Sequence, residues 1–211
     1  SQSTPPRAFT IAAAGDIIPH DMLVRSARTY PGWDFTSMVA DIEPSPASSS
    51  PWSLLAAGGR AHFSAPTTAA GRELWSSDGT PAGTRQAADL CAGPCSGLAD
   101  TYWYGIGALD GGAVFPGRAA GETCRLWASD GTEAGTVLVK DIHTGADGVP
   151  TLGEPLLVAV GQTLFLIANT GANGVELWKS DGTEAGTVLV KDIVPGASGS
   201  QPRELTNVGG R

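Results

Sequence analysis

Long apolar runs and an excess of positive charge are both missing from this 211-residue sequence. No stretch approaches the roughly 18 consecutive apolar residues of a membrane-spanning helix, so the sequence predicts no membrane span. Lysine and arginine number 13 against 21 acidic residues, a formal net charge of −8. A chain this acidic lacks the positive surface that attracts phosphate backbones or anionic lipid, which disfavours nucleic-acid binding and membrane-surface binding.

Charged residues are also scarce, at 16%, whereas there are 29 glycines and 15 prolines. This composition is typical of a turn-rich, mostly β protein rather than a helical bundle or a disordered tail. The sequence starts at Ser1 without a methionine or an apolar signal core, which fits a processed secreted protein and equally a trimmed one.

Cysteine is rare, with three residues at Cys91, Cys95 and Cys124. A Gly-Pro turn lies between the first two, and we expect one structural disulfide among the three, which suits an oxidising compartment. Cys124 is either part of that bridge or a buried apolar residue. Zinc is disfavoured because the three histidines lie far off in sequence.

A repeat dominates the rest of the sequence. The pattern Leu-Trp-x-Ser-Asp-Gly-Thr-x-Ala-Gly-Thr occurs within 73–84, 125–136 and 176–187, and its tryptophans are 52 and 51 residues apart. The last unit divides into four β-type runs at 155–160, 162–168, 174–179 and 187–193. Four antiparallel strands in about 50 residues are typical of a β-propeller blade.

The two ends of the chain complement each other. Residues 203–209 match the opening strand of a blade, and residues 7–42 match what would follow it. We therefore predict an all-β, four-bladed β-propeller with blades at 7–42 plus 203–209, 52–90, 102–142 and 155–193. Pairing of 203–209 beside 9–13 would close the ring and remove exposed sheet edges. The alternative is an open fragment of a longer array.

The three copies resemble the bacterial Glu-Leu-Trp-x-x-Asp-Gly-Thr repeat family of secreted and cell-surface proteins, over about residues 36–211. The resemblance implies a propeller-like fold and an extracellular location, without a defined activity. The first copy departs from the pattern in its fourth strand, and the second has Arg125 in place of the leading glutamate.

The first 40 residues instead resemble the start of calcineurin-like phosphoesterases of capsule or poly-γ-glutamate synthesis. This resemblance implies that Asp16 and His20 are metal ligands, as an alternative role for the chain as a hydrolase fragment. The further Asn, His and Asp segments that a two-metal site requires are absent. The resemblance also makes 21–28 either a helix or the third strand of the first blade.

Two of the residues that recur in every copy, a tryptophan and an aspartate, are candidates for a specific role. Trp75, Trp127 and Trp178 are expected to pack between sheets, because a stacked repeat needs the same apolar wedge each time. The aspartates that precede Gly-Thr are expected to cap the turn. Calcium is the alternative ligand, but each loop offers a single carboxylate. These aspartates are Asp78, Asp130 and Asp181.

Aromatic residues outside the repeat are the better candidates for ligand binding. Trp52, Tyr102, Trp103 and Tyr104 lie at or near the inner strands of blades, where ring faces suit sugars and where the alternative is core packing. The sequence contains no local nucleophile motif or phosphate loop, so we expect a non-catalytic module that binds a glycan or a surface protein at the inter-blade loops. It predicts no cofactor and leaves open an ion in the central channel. A structural spacer in a cell-surface assembly is a further alternative.

Overall fold

β-Strands make up all the regular secondary structure in the described part of the chain. The computed structural model describes residues 42–43, 49, 51–98, 105–109, 111–142 and 157–209. Within these ranges there are twelve strands and no helix. The all-β prediction is confirmed for the residues described.

The strands form three antiparallel sheets of four, one for each copy of the repeat. The first sheet contains β1 (Trp52–Ala57), β2 (Arg60–Thr67), β3 (Gly71–Ser77) and β4 (Arg85–Ala88). The second contains β5 (Gly107–Leu109), β6 (Gly112–Gly117), β7 (Arg125–Ser129) and β8 (Val137–Lys140). The third contains β9 (Leu157–Val160), β10 (Thr163–Asn169), β11 (Val175–Ser180) and β12 (Val188–Leu189). In each sheet, strands adjacent in sequence pair with each other.

The third sheet follows the predicted runs closely, except in its last strand. Its first three strands lie within or one residue beyond the predicted bounds, because glycine turns punctuate the sequence at Gly161 and Gly174. The fourth run was predicted over 187–193, but β12 is only two residues long. One further backbone hydrogen bond, from Val190 N–H to the Leu177 carbonyl at 2.9 Å, extends the pairing.

Each repeated tryptophan lies in the third strand of its sheet, opposite a large apolar residue of the second strand. Trp75 pairs with Phe63, Trp127 with Phe115 and Trp178 with Leu166. Since paired residues point to the same face of an antiparallel sheet, every sheet carries one such apolar pair at its centre.

In the second and third sheets, the face that carries this pair packs against the opposite face of the preceding sheet, so that the sheets stack in sequence order. Leu74 and Ala87 of the first sheet meet Phe115 and Trp127 of the second. The second and third sheets share a larger cluster, made of Val114, Leu126, Val139, Ile142, Leu164, Leu166, Ala168 and Trp178. The opening strands are also neighbours, since β1 contacts β5 and β5 contacts β9.

The Asp-Gly-Thr loop between the third and fourth strands is held by its own side chains. Asp130 Oδ1 accepts hydrogen bonds from Thr132 N–H at 2.8 Å and Thr132 Oγ1 at 2.6 Å. Gly135 N–H donates to Thr132 Oγ1 at 3.0 Å, and a Cβ on Gly135 would overlap the Asp130 carboxylate. Gly131 has φ +89°, a conformation that favours glycine. The same aspartate and threonine bonds recur at Asp78 and Asp181.

The loops also connect neighbouring sheets. The loop of the second sheet lies on the first, where a Cβ on Gly131 would collide with Ser76, and Arg85 Nε donates to the Gly131 carbonyl at 3.3 Å. The loop of the third sheet lies on the second in the same way: Lys140 Nζ donates to the Thr187 carbonyl at 2.8 Å. The repeated loop therefore serves as a contact between sheets.

The first predicted blade cannot be compared with the structure. Residues 7–41, which include the segment 21–28, lie outside the described residues. The C-terminal run 203–209 is described and has no regular secondary structure. Its Asn207 Nδ2 donates to the Ala159 carbonyl of β9 at 2.9 Å. The pairing of 203–209 with 9–13 therefore stays a prediction.

Candidate functional site

The connections of the three sheets are distributed over two rims, because successive strands run in opposite directions. One rim, which we call the hairpin rim, carries the β1–β2, β5–β6 and β9–β10 hairpins and the Asp-Gly-Thr loops. The other, which we call the loop rim, carries the turns 67–71, 117–125 and 169–175 and the segments 89–98 and 193–201 that follow a fourth strand. The sequence predicted binding at the loop rim.

Two buried glutamates organise the loop rim. Glu73 lies near the start of β3 and accepts hydrogen bonds from the N–H groups of Gly97 at 2.6 Å, Leu90 at 3.2 Å and Cys91 at 3.3 Å. A Cβ on Gly97 would overlap the Glu73 carboxylate, so glycine is required there. The segment that leaves the first sheet is thus fastened to a single side chain.

Glu176 has the same role in the third sheet. Its Oε1 accepts hydrogen bonds from Ser200 N–H at 2.8 Å and Val194 N–H at 3.1 Å, and its Oε2 accepts one from the Ser200 hydroxyl. Gln201 N–H donates to the Val175 carbonyl at 2.9 Å and holds the same segment to β11. Buried carboxylates that accept several N–H groups rigidify the loops that supply them.

The two glutamates differ in their acidity. Burial raises the pKa of Glu73 to about 7, although the N–H groups of Leu90, Gly97 and Cys91 oppose the shift. Burial also acts to raise the pKa of Glu176, but the Ser200 hydroxyl and the N–H groups of Val194 and Ser200 outweigh it, and the pKa is lowered. The Ser200 hydroxyl donates to Glu176 alone, and the Asp89 carboxylate adds to the raised pKa of Glu73.

The second sheet replaces this glutamate with Arg125, and an ion-pair cluster takes its place. Arg125 lies 2.7 Å from Glu122 Oε2 and 3.1 Å from Asp141 Oδ2. The leading glutamate of the repeat was not singled out from the sequence as a structural anchor. Its recurrence ahead of Leu-Trp was the available signal, but its partners lie 17 to 24 residues further along the chain.

A disulfide joins Cys91 and Cys95 within the segment that Glu73 holds. The predicted structural bridge is confirmed, and the structure identifies its two cysteines, which the sequence left open. Cys124 is buried with a free thiol. The disulfide constrains the same backbone that donates to Glu73, so this part of the loop rim is fixed twice.

Trp52 is the described aromatic candidate on the loop rim. It begins β1, at the end of the strand opposite the Gly58–Gly59 hairpin, and its residue is 39% exposed. Its carbonyl accepts a hydrogen bond from Ser64 Oγ at 3.4 Å, which ties its backbone to β2. The other three candidates, Tyr102, Trp103 and Tyr104, lie outside the described residues.

Trp127 and Trp178 face the spaces between the described sheets. Trp178 is buried in the cluster between the second and third sheets, and Trp127 packs against the cluster between the first and second. Trp127 Nε1 donates to the Gly117 carbonyl at 3.1 Å. The geometry of these two is that of packing residues; Trp75 lies in neither cluster, and its packing between sheets stays a prediction.

The aspartates of the repeat lie on the hairpin rim and act within their own loops. Hydrogen bonds from the threonine two residues later lower the pKa of Asp78, Asp130 and Asp181. Within the described ranges, no three His, Cys, Asp or Glu side chains cluster closely enough to hold a metal ion. The loops therefore place these carboxylates as turn caps.

A cavity of about 750 Å³ opens where the hairpins of the three sheets meet. It is lined by residues 56–61, Ala108, Leu109, Ala159, Gly161 and Gln162. The Arg60 guanidinium is engaged by Ser76 Oγ at 2.6 Å and the Gly83 carbonyl at 2.5 Å. None of these lining residues is acidic, so the part of the wall that the structure describes offers no carboxylate to a cation.

The alternative metal ligands Asp16 and His20 lie outside the described residues, and the hydrolase interpretation stays untested. In the part of the chain that the structure describes, no helix is long and apolar enough to cross a membrane.

Comparison of the chain with protein-family models, with curated protein sequences and with solved structures gave no match.

Proposed function

We propose that this chain is a secreted, non-catalytic binding module that recognises carbohydrate at the loop rim of a four-bladed β-propeller. Residues 7–42 with 203–209 form one blade, and 52–90, 102–142 and 155–193 form the others. The observation that carries the binding proposal is that Trp52, a 39% exposed residue, lies on a rim whose loops are fastened by buried carboxylates.

The stacking of the described sheets supports the ring. Each opening strand lies beside the opening strand of the next sheet, β1 by β5 and β5 by β9. Asn207 extends this series, since its side chain reaches the Ala159 carbonyl of β9. This contact supports the assignment of 203–209 as the opening strand of the next blade.

The rigidity of the loop rim supports binding. A binding loop loses less conformational entropy on contact with a ligand if it is already ordered. The carboxylates of Glu73 and Glu176 and the Cys91–Cys95 disulfide order two of the loops before any ligand arrives.

Carbohydrate is the ligand class that an exposed tryptophan on a polar, Gly- and Ser-rich rim fits best. The apolar face of a sugar ring stacks on an aromatic ring, and its hydroxyls hydrogen-bond to neighbouring polar groups. Secretion is supported by the disulfide, because such bridges persist mainly in oxidising compartments.

A glycan array tests the proposal, with the labelled full chain and the Trp52→Ala variant. Since aromatic anchors dominate the energetics of binding sites, we expect Trp52→Ala to weaken binding to the best glycan by about tenfold or more. The control is Val137→Ala, which truncates an exposed apolar residue on an outer strand and should leave binding unchanged. Trp103→Ala and Tyr104→Ala test the candidates outside the described residues.

An array without a glycan above background refutes the carbohydrate proposal. Equal affinity of Trp52→Ala and the parent chain for every bound glycan removes Trp52 from the site. Capture of a surface protein in place of any glycan would replace the ligand class while keeping the loop rim as the site.

A further inference from the structure

Two sheets of this protein end in the same six residues but bury them differently. The sequence Val-Leu-Val-Lys-Asp-Ile occupies 137–142 in the second sheet and 188–193 in the third. Because the side chains are identical, a difference in exposure between equivalent positions reports what covers them.

The second sheet buries its copy against the third. Val139 is 4% exposed and Ile142 is 8% exposed, and both belong to the cluster with Leu164, Leu166 and Trp178. The equivalent residues of the third sheet, Val190 and Ile193, are 44% and 52% exposed. Val194 beside them is also exposed. We call Val190, Ile193 and Val194 the terminal face.

The opposite end of the stack shows the matching gap. Gly131 and Gly182, in the loops of the second and third sheets, each touch a side chain of the preceding sheet. Gly79, their equivalent in the first sheet, has no described residue within 4 Å of the position a Cβ would take. Among the described residues, the first sheet therefore has an uncontacted loop where a preceding sheet would lie, and the third has an uncovered face where a following sheet would lie.

We propose that residues 7–42 of the same chain dock on the terminal face and fill both positions with one sheet. The proposal rests on the ring closure stated above and is independent of the ligand. It assigns Val190, Ile193 and Val194 to an interface continuous with the two already present between the described sheets.

The position at which the segment ends supports this occupant. Glu43, which directly follows it, is buried and accepts hydrogen bonds from Thr68 N–H at 2.5 Å and Thr68 Oγ1 at 3.0 Å. The segment therefore ends beside the β2–β3 turn of the first sheet, which is the sheet that has no preceding neighbour among the described residues. Its runs 7–13, 22–26 and 38–42 match the second, third and fourth strands of a repeat unit.

Lys191, beside the terminal face, supports the docking of a sheet that resembles the three described ones. Lys140 of the second sheet donates to the Thr187 carbonyl in the loop of the sheet that follows. Lys191 occupies the equivalent position in the third sheet and is exposed. We expect it to reach a backbone carbonyl in 7–42.

Site-specific photo-cross-linking in the full chain tests the proposal. p-Benzoylphenylalanine is introduced in place of Ile193, and the control carries it in place of Val137, which is equally exposed but points away from the terminal face. After irradiation, we expect the chain with the cross-linker at 193 to remain a monomer and to contain peptides joined between 193 and 7–42. The control should give no cross-link to 7–42.

Cross-links only between copies of the chain would overturn the proposal in favour of a dimer interface. Absence of any cross-link from 193 to 7–42 would also overturn it. Labelling of Val190→Cys and Val137→Cys with a polar maleimide gives a second measurement, since Cys124 is buried. We expect Val190→Cys to react several-fold more slowly, and equal rates would contradict the docking. Glycan binding that persists when docking fails would separate this proposal from the function.

Discussion

His62 places a titratable ring inside the interface between the first and second sheets. It is fully buried in β2, and neither ring nitrogen has a hydrogen-bond partner in the described structure. The equivalent positions in the other sheets hold Val114 and Phe165, opposite Ala128 and Lys179 as His62 is opposite Ser76. Replacement of His62 by Val therefore puts the side chain of one sheet into the same slot of another.

The surroundings of His62 disfavour its charged form. Burial lowers the pKa of the ring; the nearby Ala57 carbonyl opposes this without forming a hydrogen bond to either nitrogen. The Arg60 guanidinium lowers the pKa further, and the Asp130 carboxylate of the second sheet raises it in part.

The other charged groups near His62 contact Arg60 and the Asp-Gly-Thr loop of the second sheet. Asp78 lies 4.0 Å from the Arg60 guanidinium, and Arg85 donates to the Gly131 carbonyl. Strands β1, β5 and β6, which pack nearby, carry no titratable side chain. The local balance is therefore one of burial and of Arg60 against Asp130.

The magnitude follows from proton linkage. In the unfolded chain His62 takes up a proton as the pH falls below about 6.5, whereas the folded chain resists it. Stability is therefore present above that pH and is lost as the pH falls, with a limiting slope of about 1.4 kcal/mol per pH unit. Between pH 7.5 and 5.5 we expect the parent chain to lose about 1 kcal/mol more than His62→Val.

Urea unfolding of both chains at pH 7.5, 6.5 and 5.5 measures the difference. Contributions from every other titrating group are common to the two chains and cancel. Parallel stability profiles, with a constant difference across the three pH values, would refute the assignment of His62 as a buried neutral ring.

Three further predictions rest on the loops. Gly135→Ala, whose Cβ would overlap the Asp130 carboxylate, should lower the free energy of unfolding by about 1–3 kcal/mol. Gly111→Ala is the control, because its Cβ meets no described atom, and it should change the free energy of unfolding by less than about 0.5 kcal/mol. Equal effects of the two substitutions in thermal or urea unfolding would contradict the loop geometry. Because the pKa of Glu73 is raised to about 7, its contribution to the stability of the folded chain is full below about pH 4.5 and is lost as the pH rises through 7. Glu73→Gln should therefore cost more stability at pH 5 than at pH 8, by on the order of 3 kcal/mol. An equal cost at both pH values in urea unfolding would contradict the raised pKa. Glu176→Gln should show the opposite trend, because the lowered pKa of Glu176 gives stability that is lost as the pH falls below about 4.5. Urea unfolding should therefore show a larger cost of Glu176→Gln at pH 6 than at pH 3.5, and an equal cost would contradict the lowered pKa.

The repeat made the sheets predictable. Glycines with positive φ at Gly161 and Gly174, and the Asp-Gly-Thr loops, mark the strand ends in the sequence, and the tryptophan recurs at one position of each unit. These are local signals, so the strands of the third sheet could be placed to within a residue or two, apart from the short β12.

The organisation of the loop rim could not be predicted, because it depends on contacts between distant residues. The carboxylate of Glu73 acts through N–H groups 17 to 24 positions away, and no local pattern marks them as its partners. The burial of His62 had a weaker signal in the sequence. Alignment of the hairpins puts His62 at the position of Val114 and Phe165, which are apolar. The cysteine pairing was left open for a similar reason, since only the fold shows that Cys124 is buried elsewhere.

The site itself was predicted only in part. The sequence named Trp52 and the inter-blade loops as candidates; the structure places Trp52 on the loop rim as an exposed residue, and its role in binding stays a prediction. The anchoring of the rim by Glu73 and Glu176 and the cavity at the hairpin rim emerge only when three sheets are brought together.

Ring closure is tested most directly by nuclear Overhauser effects in the full, deuterated chain. If one blade is shared between the two ends, backbone protons of 203–209 will show cross-strand effects to those of 9–13. The absence of cross-strand effects between 203–209 and 9–13, or cross-strand effects from 203–209 to another segment, would contradict ring closure.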